Sequence, residues 1–291
     1  VLYHISHKTI YTYNQPVFLK PHLLRVRPRC DGWQKLLDFS LVVEPQPTGI
    51  SQTVDLDGNS TIRLWFTQPT EQLTIEVKST VETYVENPFG YLLEPWALKL
   101  PIDYPSSLLT QLQPYLKPYG VAFNPAAVQL ALEIADEVKG NTLSFLHTLN
   151  ERIYKNCEYI IRETGKPWQA ELTWKSKRGS CRDFSVLFME VCRAMGLAAR
   201  FVSGYQEGDL DKEERDLHAW VEVYLPGGGW RGYDPTHGLA ISDRHIALVA
   251  SAIPAYASPI VGTTTPVKSV IETGKPSESE MEAHISIKRE D

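Results

Sequence analysis

Seven prolines fall between residues 87 and 125 (Pro88, Pro95, Pro101, Pro105, Pro114, Pro118 and Pro125). Each fixes its own φ and removes a backbone donor, so no sheet ladder or long helix is expected to run through this stretch. The stretch therefore reads as a connecting segment between an upstream and a downstream part. Tyr91, Trp96 and Leu100 are too apolar for a free linker, so the segment is expected to connect the parts while packed over the surface.

Upstream, the apolar residues recur with period two. Leu37, Phe39, Leu41 and Val43 alternate with other residues, as do Leu73, Ile75, Val77, Val81 and Val85, interrupted only at Ser79. Asp57-Gly58-Asn59 is a turn signal between Val54/Leu56 and Ile62/Leu64/Phe66, which predicts a hairpin. Residues 1 to about 86 therefore read as an antiparallel sandwich or barrel-like unit.

Downstream, the period changes. Asn124 suits an N-cap and Pro125 the first helical position; Val128, Ala131, Leu132, Ala135 and Val138 make one stripe, and Gly140 ends it. A second helix carries Leu146, Leu149 and Ile153. A third begins near Cys181, carries Phe184, Leu187, Phe188, Val191, Cys192 and Met195, and ends at Gly196. Strands follow over 199–205, 218–225 and 230–234, with an acidic, solvated loop over 206–216. Residues 251–279 are rich in Pro, Ser and Thr and read as weakly structured, while Ala283, Ile285 and Ile287 alternate like a late strand returning to a sheet. The fold class is α+β: a β-rich domain over 1–100 with its Pro-rich connection over 87–125, a helix-on-antiparallel-sheet core over 120–262, and a tail over 263–291. At 291 residues the core is not limited by size.

The chemistry concentrates at Cys181, His218 and Asp234: a thiol at a helix start, a histidine on a strand, and a carboxylate beyond the next turn. A thiolate is the attacking form, and the orphan N–H groups and dipole of a helix start favour it, as does a neighbouring imidazolium. Ser180 can cap this helix, with Asp183 at capping-box spacing; a negative Asp183 opposes the thiolate, so capping is its expected role. Pro226-Gly227-Gly228-Gly229 demands a turn between the last two strands. A loop of even length sends His218 and Asp234 to opposite faces, whereas a three-residue loop or one bulge sets Trp220 opposite Asp234 and His218 diagonal to it. The odd register is therefore expected, with glycine supplying positive φ. His237 and His245 follow Asp234 closely and are the competing bases.

Other classes find little support. The net charge is −6, and Arg25, Arg27 and Arg29 alternate as on one strand face, so neither a nucleic-acid footprint nor a polybasic membrane patch is present. No apolar run has bilayer length, and the first residues read as a strand rather than a signal segment. Cys30, Cys157, Cys181 and Cys192 have no CxxC spacing, and Cys181 and Cys192 stand about 16 Å apart along one helix. Reduced thiols and a cytoplasmic location are expected, with Cys30, Cys157 and Cys192 as packing residues. Gly227-Gly228-Gly229 lacks the Lys-Ser/Thr of a phosphate loop, and His and Cys lack paired metal spacing, so no cofactor or metal is expected.

Gly179-Ser180-Cys181-Arg182-Asp183-Phe184, Cys192-Arg193-Ala194-Met195-Gly196-Leu197, Val202-Ser203-Gly204-Tyr205, His218-Ala219-Trp220-Val221-Glu222-Val223 and Gly229-Trp230-Arg231-Gly232-Tyr233-Asp234-Pro235-Thr236 resemble the bacterial transglutaminase-like family, whose members are often described as cysteine proteases. Tyr11-Thr12-Tyr13, Pro16-Val17 and Leu24-Arg25-Val26-Arg27-Pro28-Arg29 resemble the β-rich domain preceding that family's catalytic core. The resemblance runs from residue 1 to about 262. It implies a papain-like core with Cys181 as nucleophile, His218 as general base and acid, and Asp234 as its orienter. It also implies acyl transfer from a peptide or protein amide through a thioester, to water (a peptidase or amidase) or to an amine (a cross-linker). A binding module with a retired active site is the third expectation. The backbone N–H of Cys181 is the natural oxyanion donor. A second donor should come from upstream, where Gln169, Trp168 and Trp174 are candidates by chemistry alone.

Overall fold

The computed structural model describes residues 1–162, 165–208, 216–267 and 278–290. The upstream alternation becomes six antiparallel strands: β1 (Leu2–Leu19), β2 (His22–Leu24), β3 (Gln34–Glu44), β4 (Gly49–Val54), β5 (Ser60–Trp65) and β6 (Pro69–Thr83). One sheet runs β1-β6-β3 and the other β2-β5-β4. Tyr13, Val17, Leu73, Ile75 and Val77 of the first bury themselves against Leu24, Ile62 and Leu64 of the second, which makes a sandwich. The expected hairpin joins β4 to β5: Gly58 has φ +82°, and Asp55 Oδ1 accepts from the N–H groups of Asp57 and Asn59 at 3.0 and 2.9 Å.

Leu37 departs from the expected alternation and is 47% exposed. A register shift between Leu36 and Asp38 inserts one residue in β3, so Leu36 faces the core while Phe39, Leu41 and Val43 keep their face.

The Pro-rich stretch contains a helix after all, α1 (Ser106–Leu116), with Pro114 inside it. Pro114 lies within the last turn, where it interrupts only the single bond to the Thr110 carbonyl, and Leu112 is buried while Leu108, Leu109 and Tyr115 pack on the core. The next helix, α2 (Pro125–Glu137), starts as read: Asn124 Oδ1 accepts from the N–H of Ala126 at 3.0 Å. Its buried face is Ala127, Leu130, Ala131 and Ile134, and Leu132 is 59% exposed. The helix is apolar on more than one side, so the stripe was displaced by about one residue. In α3 (Thr142–Asn156) the expected Leu146, Leu149 and Ile153 are all buried.

Two short strands, β7 (Glu158–Tyr159) and β8 (Arg178–Gly179), pair in parallel around the short helix α4 (Ala170–Ser176), which the sequence reading did not anticipate. Then comes α5 (Cys181–Ala194), ending as expected before Gly196 at φ +74°. Residues 183–193 of α5 are all buried, so it is a central rod rather than an amphipathic surface helix. Its polar groups are satisfied inside: Arg193 donates to the carbonyls of Ala199, Lys117 and Ala252, and Glu190 accepts from the N–H of Tyr119.

Helix α5 lies on an antiparallel sheet of order β12-β11-β10-β9-β13. Its strands are β9 (Ala199–Gln206), β10 (His218–Leu225), β11 (Gly229–Asp234), β12 (Leu239–Ala240) and β13 (His245–Ser251). Part of the acidic loop, 209–215, lies outside the described residues. The outer strand β13 meets side-chain amides from the sandwich instead of another strand. Gln34 donates to the carbonyl of Ala247 at 3.0 Å and accepts its N–H at 2.7 Å. Asn59 does the same with Ala250, at 2.8 and 2.9 Å. Glu222 of β10 is held between Arg200 and Arg29, at 2.7 and 3.1 Å, adding an ionic tie across the same junction.

After this sheet the chain returns to the sandwich. β14 (Ile260–Val261) extends the second sheet beside β2; β15 (Thr264–Pro266) and β16 (Ser279–Glu290) both pair with β1. The late strand expected from Ala283, Ile285 and Ile287 is thus present, with Ile285 buried opposite His7. Residues 268–277 of the Ser/Thr/Pro-rich segment lie outside the described residues. Among the described residues no helix is long and apolar enough to cross a membrane.

Candidate active site

Cys181 is the first residue of α5 and is 7% exposed. Its position is fixed by Asp183, whose buried carboxylate accepts from the N–H and the hydroxyl of Ser180, both at 2.8 Å. The same carboxylate accepts from Arg162 Nη1 at 2.6 and 2.7 Å and from the N–H of Trp168 at 2.7 Å. Arg162 in turn lies over the Trp168 ring, 4.4 Å from its centroid. Capping is therefore half of the role of Asp183: it also ties Arg162 and Trp168 to the helix start. Asp183→Ala leaves a guanidinium and three further donors without their acceptor in a dry place. The expected loss is about 3–5 kcal/mol of unfolding free energy, read by urea denaturation, with Asp183→Asn losing less.

His218 reaches the site through the hairpin. Leu225 pairs with Gly229, leaving a loop of three residues, and Val221 pairs with Tyr233, so Trp220 stands opposite Asp234. This is the odd register, and Gly227 and Gly229 supply φ of +86° and +71°. His218 Nε2 lies 2.8 Å from Asp234 Oδ2, while Asp234 Oδ1 accepts from the N–H of Thr236 at 2.9 Å. The Cys181 thiol lies near enough to the same imidazole to favour its charged form. Burial pushes the imidazole pKa of His218 down, but the charge and hydrogen bond of Asp234, with Cys181 adding to them, outweigh it and raise it to about 10. Burial likewise pushes Asp234 up, and His218 outweighs it, aided by hydrogen bonds from His237 and His245, so the carboxyl is held well below its ordinary range. The charged pair is the favoured form.

His237 and His245 are brought to Asp234 rather than offered as alternative bases. His237 Nδ1 is 2.8 Å and His245 Nε2 3.3 Å from the same Oδ2 that holds His218. His237 is close in sequence, in the turn after Asp234. His245 comes from β13, separated from β10 by β9, and only the strand order brings it here. Tyr159 was also missed: it sits on β7 beside Gly179, and burial, then the charge of Cys181, push its phenol up to about 12. Of the upstream oxyanion candidates, Gln169 is exposed at the N-cap of α4, the N–H of Trp168 is taken by Asp183, and Trp174 lies beneath Lys177. Among the described residues, none of the three hydrogen-bonds to Cys181, His218 or Asp234. All four cysteines are free.

Comparison with known proteins matches residues 3–82 to the bacterial transglutaminase-like N-terminal region and residues 129–235 to the transglutaminase-like superfamily. An uncharacterized protein of Mycobacterium tuberculosis is 28% identical over 263 residues, 84% of this chain and 82% of its own length. A protein-glutamine gamma-glutamyltransferase of Pseudomonas aeruginosa is 34% identical over 127 residues, 40% of this chain and 19% of its own. A solved structure of a presumed cysteine protease from Cytophaga hutchinsonii superposes with a TM-score of 0.73 at 23% identity, covering 100% of this chain and 91% of that one. This last likeness shows that the two share a fold.

Proposed function

Because this chain belongs to the transglutaminase-like superfamily, we propose that it is a cysteine-dependent hydrolase that opens a peptide or protein amide bond through a thioester, with water as acceptor. The observation that carries the reading is the buried His218–Asp234 pair, 2.8 Å apart, with the Cys181 thiol near enough to the imidazole to bear on its charge. In the proposed cycle the Cys181 thiolate attacks the carbonyl carbon, and the carbonyl electron pair moves onto oxygen. The backbone N–H of Cys181, unpaired within the first turn of α5, faces that oxyanion. As the tetrahedral species collapses, the imidazolium of His218 gives its proton to the leaving nitrogen, the C–N bond breaks and a thioester remains. Neutral His218 then takes a proton from water, the hydroxide attacks the thioester, and the thiolate departs. Asp234 keeps the ring oriented and favours its charged form throughout.

Transfer to an amine is the second reading, supported by the gamma-glutamyltransferase name of the Pseudomonas relative. Incubation with glutamine-containing peptides, with and without a labelled primary amine, separates the two when ammonia, cleaved peptide and conjugate are followed together. Hydrolytic products are expected whether or not the amine is present. Conjugate in excess of hydrolysis overturns water as acceptor. Absence of all three products, with iodoacetamide labelling Cys181 at the pH of a free thiol, overturns the enzymatic reading.

A further inference from the structure

Three imidazoles converge on one carboxylate oxygen, an arrangement that the proposed acyl transfer does not need. One histidine suffices to hold a proton beside Cys181, yet His218, His237 and His245 stand 2.8, 2.8 and 3.3 Å from Asp234 Oδ2. A carboxylate oxygen has about two lone pairs, so three ring N–H groups cannot all be well satisfied there. Each ring nitrogen also carries a lone pair of its own when neutral.

We propose that His218, His237, His245 and Asp234 form a site for a divalent transition-metal ion of the zinc type, and that its occupation switches off the thiol chemistry. The ligand atoms of His218, Asp234 and His245 already lie within 4.8 Å of one another, all three residues being buried. Two imidazoles on a tetrahedral ion with metal–nitrogen bonds of about 2.0–2.1 Å place their ring centroids about 5–6 Å apart. Here the His218 ring is 5.2 Å from that of His237, within this range, while the His245 ring, 6.2 Å from that of His218, has to move inward to join them. The contacts of 2.8 Å need only open to the ligand–ligand spacing of about 3.3 Å around such an ion. Among the described residues His245 makes a single side-chain hydrogen bond and its Nδ1 has no partner, so no second bond opposes re-aiming the ring. The side chain of His237 is 43% exposed, and the ion would enter past it. Three imidazoles and a carboxylate are a borderline donor set that suits zinc better than calcium or magnesium.

The consequence follows from the two nitrogens of His218. When the metal takes the Nε2 lone pair, the Nε2 proton leaves to solvent and the remaining ring proton sits on Nδ1. A ring so occupied cannot accept a proton from the thiol or from water, and Asp234 is withdrawn from its orienting role. No redox change is involved. The inhibitory half of this inference rests on the proposed roles of Cys181 and His218; the binding half does not.

The test uses the full chain carrying Cys181→Ala, which removes the thiol as a ligand and makes activity irrelevant. It is titrated with Zn2+ against a chromophoric chelator, and with Co2+ while its visible d–d absorption is followed. One ion per chain is expected, with a four-coordinate cobalt spectrum lacking sulfur charge transfer. Adding His237→Ala should weaken binding at least tenfold, and His245→Gln should do so too if that variant folds; if it does not, His237→Ala decides alone. Binding that vanishes in Cys181→Ala, or that is unchanged by His237→Ala, overturns the site. Stoichiometric binding in a protein that turns over no amide leaves the metal site standing and removes the hydrolase reading instead. Amide turnover unaffected by zinc at saturating occupancy overturns the switch.

Discussion

Cys181→Ala is expected to lower kcat/KM for amide turnover by about 10^4-fold or more, because the proposed cycle forms its thioester on that sulfur; any residue of rate would come from binding and the oxyanion donors. The fold should survive. Cys181 is a small side chain at 7% exposure, and trimming its sulfur should cost about 1 kcal/mol or less. Turnover and thermal unfolding measured on the same preparation check both halves. Mass spectrometry of the wild-type protein quenched during turnover should show the acyl adduct on Cys181 and nowhere else. An alanine variant within tenfold of wild type would remove Cys181 as the nucleophile and, with it, the proposed cycle.

Asp234→Asn is expected to reduce kcat by about 10^3–10^4-fold near neutral pH, since the amide can present the wrong partner to His218 and no longer favours its charged form. The pH profile should change as well as the rate. In the proposed cycle the imidazolium is the acid for the leaving amine, and the His218 pKa stands raised to about 10 because Asp234 outweighs burial. Activity should therefore hold through neutral pH and fall as pH rises through about 10. Without the carboxylate, burial acts with less opposition, and the alkaline limb should move down toward or below the ordinary histidine value of 6.5. The same shifts enter stability. The raised His218 contributes fully below the unfolded histidine pKa and is lost as pH rises through about 10. The depressed Asp234 contributes fully above the ordinary 3.8 and is lost as pH falls toward its folded value. Denaturant unfolding across pH should show this stabilisation in the wild type between those limits and not in the variant. A wild-type alkaline limb unmoved by the substitution would separate His218 from Asp234.

What could be read from the residues follows from how local each determinant is. The start of α5 was legible because Ser180, Asp183 and Gly196 mark both ends of one helix. The register that brings His218 to Asp234 was legible because a Pro and three Gly restrict one turn. The sandwich was legible from simple alternation, except at Leu37, where an inserted residue in β3 leaves no sign in the alternation itself. Helix α1 is not legible because seven prolines mark the whole 87–125 stretch as a connection, and only the fold shows that Pro114 falls in the last turn of a helix. The buried face of α2 was misplaced because neighbouring rows are apolar too. His245 could not be assigned to Asp234 because its position depends on β9 lying between β10 and β13, which no short stretch encodes. The double duty of Asp183 was hidden for the same reason: Arg162 is some twenty residues away, and only its final position makes it a partner.

The amide clamps of Gln34 and Asn59 on β13 bear on how the chain can be divided. The downstream half expressed alone would present a bare row of peptide groups along that strand, and other copies would be the readiest partners for them. The other half would fare no better, since its first strand needs β16 from the opposite terminus to complete the ladder. Truncation studies that seek a minimal enzyme should therefore meet self-association rather than independence, and the two halves are better regarded as one heritable unit.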